Sequence, residues 1–484
     1  MKIKFSNLGS IEETELDLRP LTVIIGPNNS GKTYIAYSTY GLWQRTGRTV
    51  YPQYVFNNLK LNQQGEGIWS LTIDNDLLDL FIKDAEETAK NFQGSALESF
   101  FQDSSRKLFA RTSFAMMIER QEVETAINQL IQRGAIPLTD ETSLRITRED
   151  NVLFFKMEIE NEEINKSITL KFREMLNHFS DHPDLVFILS VKQVLFSNVF
   201  PFPAERNAFI NIYKILETKR YRILKQKERE LWLATNQEGF DLIKQSKDIR
   251  YPQPVEDFLD FLSDINLEDE EEIDKIYSTS SKNEFQKLAD VIENQLQNKN
   301  QTILKSTPIG GKEIKVLVKT DLEIDLYNAS SSIKQLAPLL LYLRFRASKG
   351  DFLVIDEPEM NLHPESQAKL LESLSILVNL GVRILLTTHS PYVMAHLNNL
   401  VNGNHENPEI LKRQSSSLYL QDERAFLPID KVSAYEMKDN KLVSLNDPDY
   451  GIRWDTLSDV AVDIQQKFFE IYQAGQEKAD ETEE

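Results

Sequence analysis

Eight residues near the start of the chain, Gly26-Pro27-Asn28-Asn29-Ser30-Gly31-Lys32-Thr33, constrain the fold more than any other segment. They follow a short apolar run, Leu21 to Ile25, and precede a helix-like stretch beginning at Thr33. Strand, glycine loop, helix is the order in which G-x-x-x-x-G-K-[ST] forms a nucleotide-phosphate loop. Gly26 and Gly31 let the backbone aim N–H groups at phosphate oxygens, and the helix adds its positive N-terminal end. Lys32 would reach the β- and γ-phosphates, and Thr33 would hold Mg2+. A chance glycine turn would lack this flanking order.

Far downstream, Phe352 to Ile355 reads as a buried strand that ends in Asp356-Glu357-Pro358-Glu359. An acidic pair at the end of an apolar strand suits an NTPase: Asp356 would bind Mg2+ through water, and Glu357 would polarise the attacking water. A helix-like segment, Pro364 to Asn379, leads to another apolar strand, Val382 to Leu386, which ends in Thr387-Thr388-His389-Ser390. Ligands bind at the carboxyl ends of parallel strands, so Lys32, Glu357 and His389 are expected on one edge of the sheet. There His389 would bond the γ-phosphate and sense its loss. A further segment, strand-like Leu322 to Tyr327, runs through Asn328-Ala329-Ser330-Ser331-Ser332 into a helix from Ile333 to Ser348. Serines at a helix start either cap it or present N–H and hydroxyl groups to an anion.

These segments together resemble an ATPase head of the ABC/SMC type. GPNNSGKT is similar to Walker A, and LVIDEPE to Walker B with its catalytic glutamate. NLHPESQ at 361–367 sits where the D-loop belongs, and TTHS resembles the switch-histidine loop. ASSSIKQL at 329–336 resembles a signature motif with serines in place of glycine. The order EPExxLHP followed by THSP resembles the overcoming-lysogenization-defect-like branch, which supplies ATPase subunits of prokaryotic defence systems such as Gabija, Septu and PARIS. Phe202-Pro-Ala-Glu-Arg206 resembles an element of the same branch, in which Arg206 faces nucleotide or DNA or forms a structural ion pair. The resemblance implies an α/β P-loop fold with a mixed central sheet, an antiparallel β subdomain and helical insertions. It also implies ATP and Mg2+ as cofactors. Two nucleotides would lie between two heads, with Ser330, Ser331 and Ser332 acting across the interface of a homodimer or higher homo-oligomer. Gln53 is a poor match to a glutamine loop.

Composition narrows the class. The chain has 484 residues, 41% of them hydrophobic, and no cysteine, so disulfides and thiolate metal sites are excluded. No run approaches the roughly 18 apolar residues of a spanning helix, and the alternating start does not read as a signal peptide. The expectation is a cytoplasmic protein with no membrane partner. The net charge of −20 disfavours a DNA-coating role, because nucleic-acid affinity comes largely from phosphate neutralisation. Any DNA contact would be local, through 207–230, where Lys214 to Arg229 holds seven Lys/Arg and two Glu in 16 residues. Glu256 to Asp274 is the acidic counterpart, with ten Asp/Glu in 19 residues.

The markers divide the chain into an ATPase head (1–57, 143–206 and 301–470), a mostly helical insertion (58–142), a second helical insertion with the basic and acidic segments (207–300), and an acidic tail (471–484). Three antiparallel strands are expected at 143–172, a buried helix at Leu185 to Phe196, a hairpin around Lys438-Asp-Asn440, and a final helix from about Trp454 to Gln473. Asp447-Pro-Asp449 is a D-x-D with Glu436 upstream, but it lies in a Pro/Gly turn and reads as structural, and His405 has no second histidine nearby. Destructive chemistry is therefore expected in a separate nuclease or toxin effector. Three functions compete: the regulatory ATPase of a defence complex, a DNA-repair or maintenance ATPase, and a nucleotide-bound scaffold with little turnover.

Overall fold

The computed structural model describes residues 1–48, 55, 59, 61–65, 67–137, 142–159, 182–213, 251–265, 282–306, 312–318, 322–453, 463 and 465–471. Strands β1 (Lys2–Leu8) and β2 (Ile11–Asp17) form an antiparallel hairpin. Strand β3 (Leu21–Ile25) follows, and every one of its residues is buried. Such a buried run, apolar except for Thr22, suits a strand covered on both faces.

Helix α1 (Lys32–Arg48) starts directly after the glycine loop. Strands β4 (Asn62–Gly65) and β5 (Ile68–Thr72) precede helices α2 (Asn75–Asn91) and α3 (Ser95–Phe101). Strand β6 (Ser113–Met117) then pairs with β1, helix α4 (Arg120–Arg133) follows, and β7 (Ala135–Pro137) pairs with β8 (Thr142–Glu149). Among the described residues the 58–142 segment thus carries three helices and also short strands, such as β5 and β6, that pair outside it. Its strands are short and find their partners at a distance, which a local period does not reveal. Strand β9 (Val152–Ile159) completes a five-stranded antiparallel sheet of order β4-β5-β9-β8-β7. The third strand expected at Ile164 to Phe172 lies outside the described residues.

Helix α5 (Pro183–Leu195) is buried along most of its length and leads to β10 (Val199–Phe202). Within 207–300, helix α6 (Gln253–Ile265) turns Val255, Phe258, Leu259, Phe261, Leu262 and Ile265 inward, and α7 (Glu284–Leu296) follows. The basic stretch 214–229 and the acidic run 268–272 lie outside the described residues, as does Gln53. A three-stranded antiparallel sheet, β11 (Gln301–Ser306), β12 (Lys312–Val318) and β13 (Leu322–Asp325), leads to helix α8 (Ser331–Phe345). Strand β14 (Phe352–Asp356), helix α9 (Pro364–Asn379), strand β15 (Arg383–Thr388) and helix α10 (Pro391–Asn402) come next. The hairpin β16 (Val432–Lys438) and β17 (Lys441–Ser444) follows. Of the expected last helix, 463 and 465–471 are described and helical.

The central sheet has the order β10-β14-β15-β3-β16-β17, parallel except for β17. With the antiparallel sheets beside it and helices around it, the chain is an α/β P-loop fold. Alternate residues feed two cores, one on each face, as a period of two requires. Leu353, Ile355, Ile384 and Leu386 join one core, while Phe352, Val354 and Leu385 join the other. The register sets Asp356 beside Thr387 and Thr388 beside Ile25, so the loop after β3 and the ends of β14 and β15 share one edge.

Candidate functional site

The glycine loop owes its shape to two tight approaches. Gly26 has φ +149, and a Cβ there would stand 2.7 Å from the Cβ of Met437. Gly31 has φ +95, and a Cβ there would stand 2.9 Å from Ile11 Cδ1. Between them Asn29 is also left-handed, at φ +60. Lys32 is buried, and its Nζ donates to the carbonyl oxygens of Gly26 (3.0 Å) and Pro27 (2.9 Å). Burial lowers the pKa of this ammonium, while the charges of Glu357, Asp356 and Glu359 pull it back up. The Ser30 hydroxyl oxygen is buried and has no hydrogen-bond partner among the described residues.

Thr33 Oγ1 donates to Asp356 Oδ2 at 3.1 Å, and the Thr387 hydroxyl donates to Asp356 Oδ1. Burial raises the Asp356 pKa, those two hydroxyls lower it, and the neighbouring Glu357 adds to the rise. Thr33 and Asp356 offer hard oxygen donors at the mouth of a phosphate loop. That set fits Mg2+, which keeps several waters and takes one or two protein oxygens with substrate phosphates. No group of three or more His, Cys, Asp or Glu that could hold a metal ion occurs among the described residues, so the donors do not form an all-protein cage.

Glu357 adopts φ +47, a conformation rare outside glycine. Its N–H donates to Thr387 O (3.1 Å), and its Oε1 lies 2.8 Å from His389 Nε2. Both side chains are about 30% exposed, at 28% and 30%, so the pair is open at the rim while Asp356 is sealed below it. Lys32, Thr33, Asp356, Glu357 and His389 are thus gathered on the expected edge. Among the described residues, no hydrogen bond joins Ser330, Ser331 or Ser332 to that group. Ser330 caps α8, its Oγ accepting from Ile333 N (3.4 Å) and lying 3.0 Å from Ser332 Oγ, and Ser330 and Ser331 are exposed.

Three residues hold this edge together, and sequence reasoning gave none of them that task. Glu359 Oε1 accepts from Thr388 Oγ1 (2.5 Å) and His389 N (2.8 Å), while its Oε2 is buried without a partner among the described residues. Gln367, within NLHPESQ, accepts from Ser390 Oγ (2.5 Å) and donates to Leu362 O (3.0 Å). Arg206 is buried and makes no direct ion pair among the described residues. It is 3% exposed and donates to the carbonyl oxygens of Pro203 (2.7 Å), Asp356 (2.8 Å), Glu357 (3.1 Å) and Gln335 (3.2 Å). Burial lowers its guanidinium to about 10, against the opposing charges of Asp356 and Glu359. The spacing of Glu359 from Glu357 across Pro358 was the available signal for the first. For Arg206 the acceptors are backbone carbonyls, which leave no mark in a sequence. Asp447, by contrast, is a turn residue as expected: Oδ1 accepts from Asp449 N (2.9 Å) and Tyr450 N (3.0 Å), and Oδ2 meets Arg453 Nε at 2.7 Å.

A glycine loop at a helix start, a threonine on an aspartate and a glutamate on a histidine, all at the carboxyl ends of parallel strands, define a P-loop NTPase. Residues 1–394 match the AAA ATPase domain family, and the chain belongs to that family. No curated protein matches it. Among solved structures it is similar to an Smc head bound to the C-winged helix domain of ScpA, at 13% identity and TM-score 0.36, covering 92% of this chain and 96% of that one. A second is an Smc head domain with an extended coiled coil bound to the C-terminal domain of ScpA derived from Pyrococcus furiosus, at 14% identity and TM-score 0.34, covering 96% and 98%. No helix among the described residues is long and apolar enough to cross a membrane.

Proposed function

We propose that this chain binds and hydrolyses ATP as the regulatory or sensor subunit of a prokaryotic anti-phage defence complex. It acts in the cytoplasm as an ATP-bridged dimer or larger assembly that scaffolds and controls a separate nuclease or toxin. The observation that carries the ATPase reading is the Glu357–His389 pair, 2.8 Å apart, beside Lys32 and Asp356. Membership of the AAA ATPase domain family supports it. The defence assignment rests on the EPExxLHP and THSP order and on the lack of a nuclease constellation in the motifs of the chain.

In this reading the loop N–H groups from Gly26 to Lys32 cradle the phosphates, and Lys32 exchanges its two loop carbonyls for phosphate oxygens. Thr33 and Asp356 hold Mg2+, which offsets phosphate charge. Glu357 accepts a hydrogen bond from the attacking water and so raises its nucleophilicity. His389 fixes the Glu357 carboxylate through Nε2 and reaches the γ-phosphate. Ser330 and Ser331 are exposed at the start of α8, which suits contact of Ser330, Ser331 and Ser332 with the nucleotide of a second head. ATP held between two heads favours the closed state only because it binds that state better. Loss of the γ-phosphate removes the bridge. The head comprises 1–57, 143–206 and 301–470, and the insertions 58–142 and 207–300 face the partner or trigger.

The test is the solution mass of Glu357→Gln, by light scattering after size exclusion, with and without ATP and Mg2+. Growth from monomer to dimer with ATP is expected. An ATP-independent mass contradicts the bridged switch, and salt-sensitive DNA binding that stimulates turnover would favour the DNA-maintenance function instead.

A further inference from the structure

The left-handed backbone of Glu357 needs a cause. A residue with a Cβ holds φ +47 only where its surroundings over-determine it. Strand pairing gives a reason on one side: Glu357 N–H donates to Thr387 O at 3.1 Å. On the other side the ladder has stopped. The register of β10 with β14 ends at Phe202 opposite Ile355, so that edge strand supplies no donor to the carbonyls of Asp356 and Glu357.

Arg206 supplies them. After Phe202 the chain turns back, and the guanidinium places Nη1 2.8 Å from Asp356 O and Nη2 3.1 Å from Glu357 O. The same group donates to Pro203 O (2.7 Å) and, through Nε, to Gln335 O (3.2 Å). With the Gln335 amide turned so that its oxygen faces the guanidinium, that oxygen also accepts from Nη2 at 2.5 Å. Gln335 lies on α8, the helix whose first turn carries Ser331 and Ser332. One planar cation therefore joins three elements: the end of β10, the Asp356–Glu357 turn and α8. A fork of five N–H donors suits this task and a single ammonium does not.

We propose that Arg206 is a positioning residue for ATP hydrolysis. It fixes the backbone that aims Glu357 at the attacking water and ties that turn to the helix bearing the serine motif. Arg206 touches no reacting atom. The proposal rests on the ATPase reading above for its turnover arm only.

The experiment compares wild type with Arg206→Lys in three measurements: steady-state Mg-ATP hydrolysis, equilibrium ATP affinity, and hydrogen exchange at the amides of Glu357 and Met360. Met360 N–H donates to Glu357 O at 3.3 Å, so it reports on the same turn. The expected result is a kcat at least about tenfold lower, because a small misplacement is costly at a reacting centre, with ATP affinity and global stability near wild type. Exchange should quicken at those two amides and not in β3 or β15. Wild-type kcat and exchange in Arg206→Lys would overturn the proposal, as would a uniform fall in stability, affinity and turnover. If wild type itself hydrolyses nothing, the ATPase reading fails, and the exchange arm alone still decides whether Arg206 holds the turn. If Arg206→Lys does not fold, Gln335→Leu removes the side-chain amide that meets Arg206 in one orientation and Glu357 O (3.3 Å) in the other. It should show the same split on a smaller scale, and no change in it would overturn the link to α8.

Discussion

Strand β14 has a buried aspartate at each end, and the two are built in opposite ways. Asp351, just before the strand, is closed by Ser348 N (2.9 Å), Tyr342 OH (2.9 Å) and Asn198 Nδ2 (3.5 Å). All of these are local fixtures of the fold, and Asp351 is 1% exposed. Asp356, the last residue of the strand, meets two hydroxyls, but its surroundings are left incomplete. Among the described residues Ser30 Oγ and Glu359 Oε2 are buried without partners, and Glu357 is held left-handed. Burial raises both aspartates, Asp351 to about 7. The same strand and similar burial thus give a finished structural joint at one end and an unfinished polar edge at the other. Buried polar groups in native proteins are nearly always paired, so an unpaired hydroxyl within the glycine loop itself, that of Ser30, is consistent with a ligand there.

The sharpest way to break this contrast is at Lys32. Lys32→Ala should weaken ATP binding more than tenfold, since a lost charge-assisted contact costs about 1.5–3 kcal/mol. Tyr342→Phe, at the other end, should leave the affinity unchanged. Calorimetric titration of both variants checks this, and equal affinities would erase the distinction between the two ends.

A smaller effect is expected at Glu359. Glu359→Ala strips the acceptor from Thr388 Oγ1 and His389 N, a loss of about 1–3 kcal/mol. It should lower kcat more than it changes the KM for ATP. Glu359→Gln keeps an oxygen in that place and should recover much of the rate in the same steady-state assay. If Gln is no better than Ala, the contact does not hold His389.

The smallest effect is on stability at Asp351. Its ordinary value is 3.8, and burial raises it to about 7 in the folded chain. Between those values the folded state keeps a proton that the unfolded state has released. The contribution to stability is therefore full below about pH 4, falls as pH rises toward 7, and changes no further above that. Asp351→Asn removes this dependence. The variant's urea midpoint, relative to wild type, should be higher at pH 8 than at pH 5, with turnover little changed. A relative midpoint that does not rise between pH 5 and pH 8 would show that Asp351 is held charged.

The contrast also explains what could be read from the chain. The β3, β14 and β15 runs are short, mostly apolar and almost wholly buried, and each leads into polar residues, so their order predicted a shared edge. The loop of Gly26 to Thr33 could be located because its glycines are required by φ and by close approach. What was hidden depends on distant backbone. Ser113–Met117 is a strand because β1 lies beside it, although helices flank it in sequence. Arg206 looked like a candidate for ligand contact, yet it is spent on carbonyls some 130 and 150 residues away. Glu359 looked like one more acid in a run, and only the fold shows it gripping the segment Thr388–His389.

The most direct test of the claim that the carboxyl edge is an ATP-hydrolysing site pairs two readings on wild type and Glu357→Gln: ATP binding and phosphate release with Mg2+. The account predicts binding by both proteins and release by wild type alone. Phosphate release at equal rates by the two proteins, or no ATP binding by wild type, would contradict it.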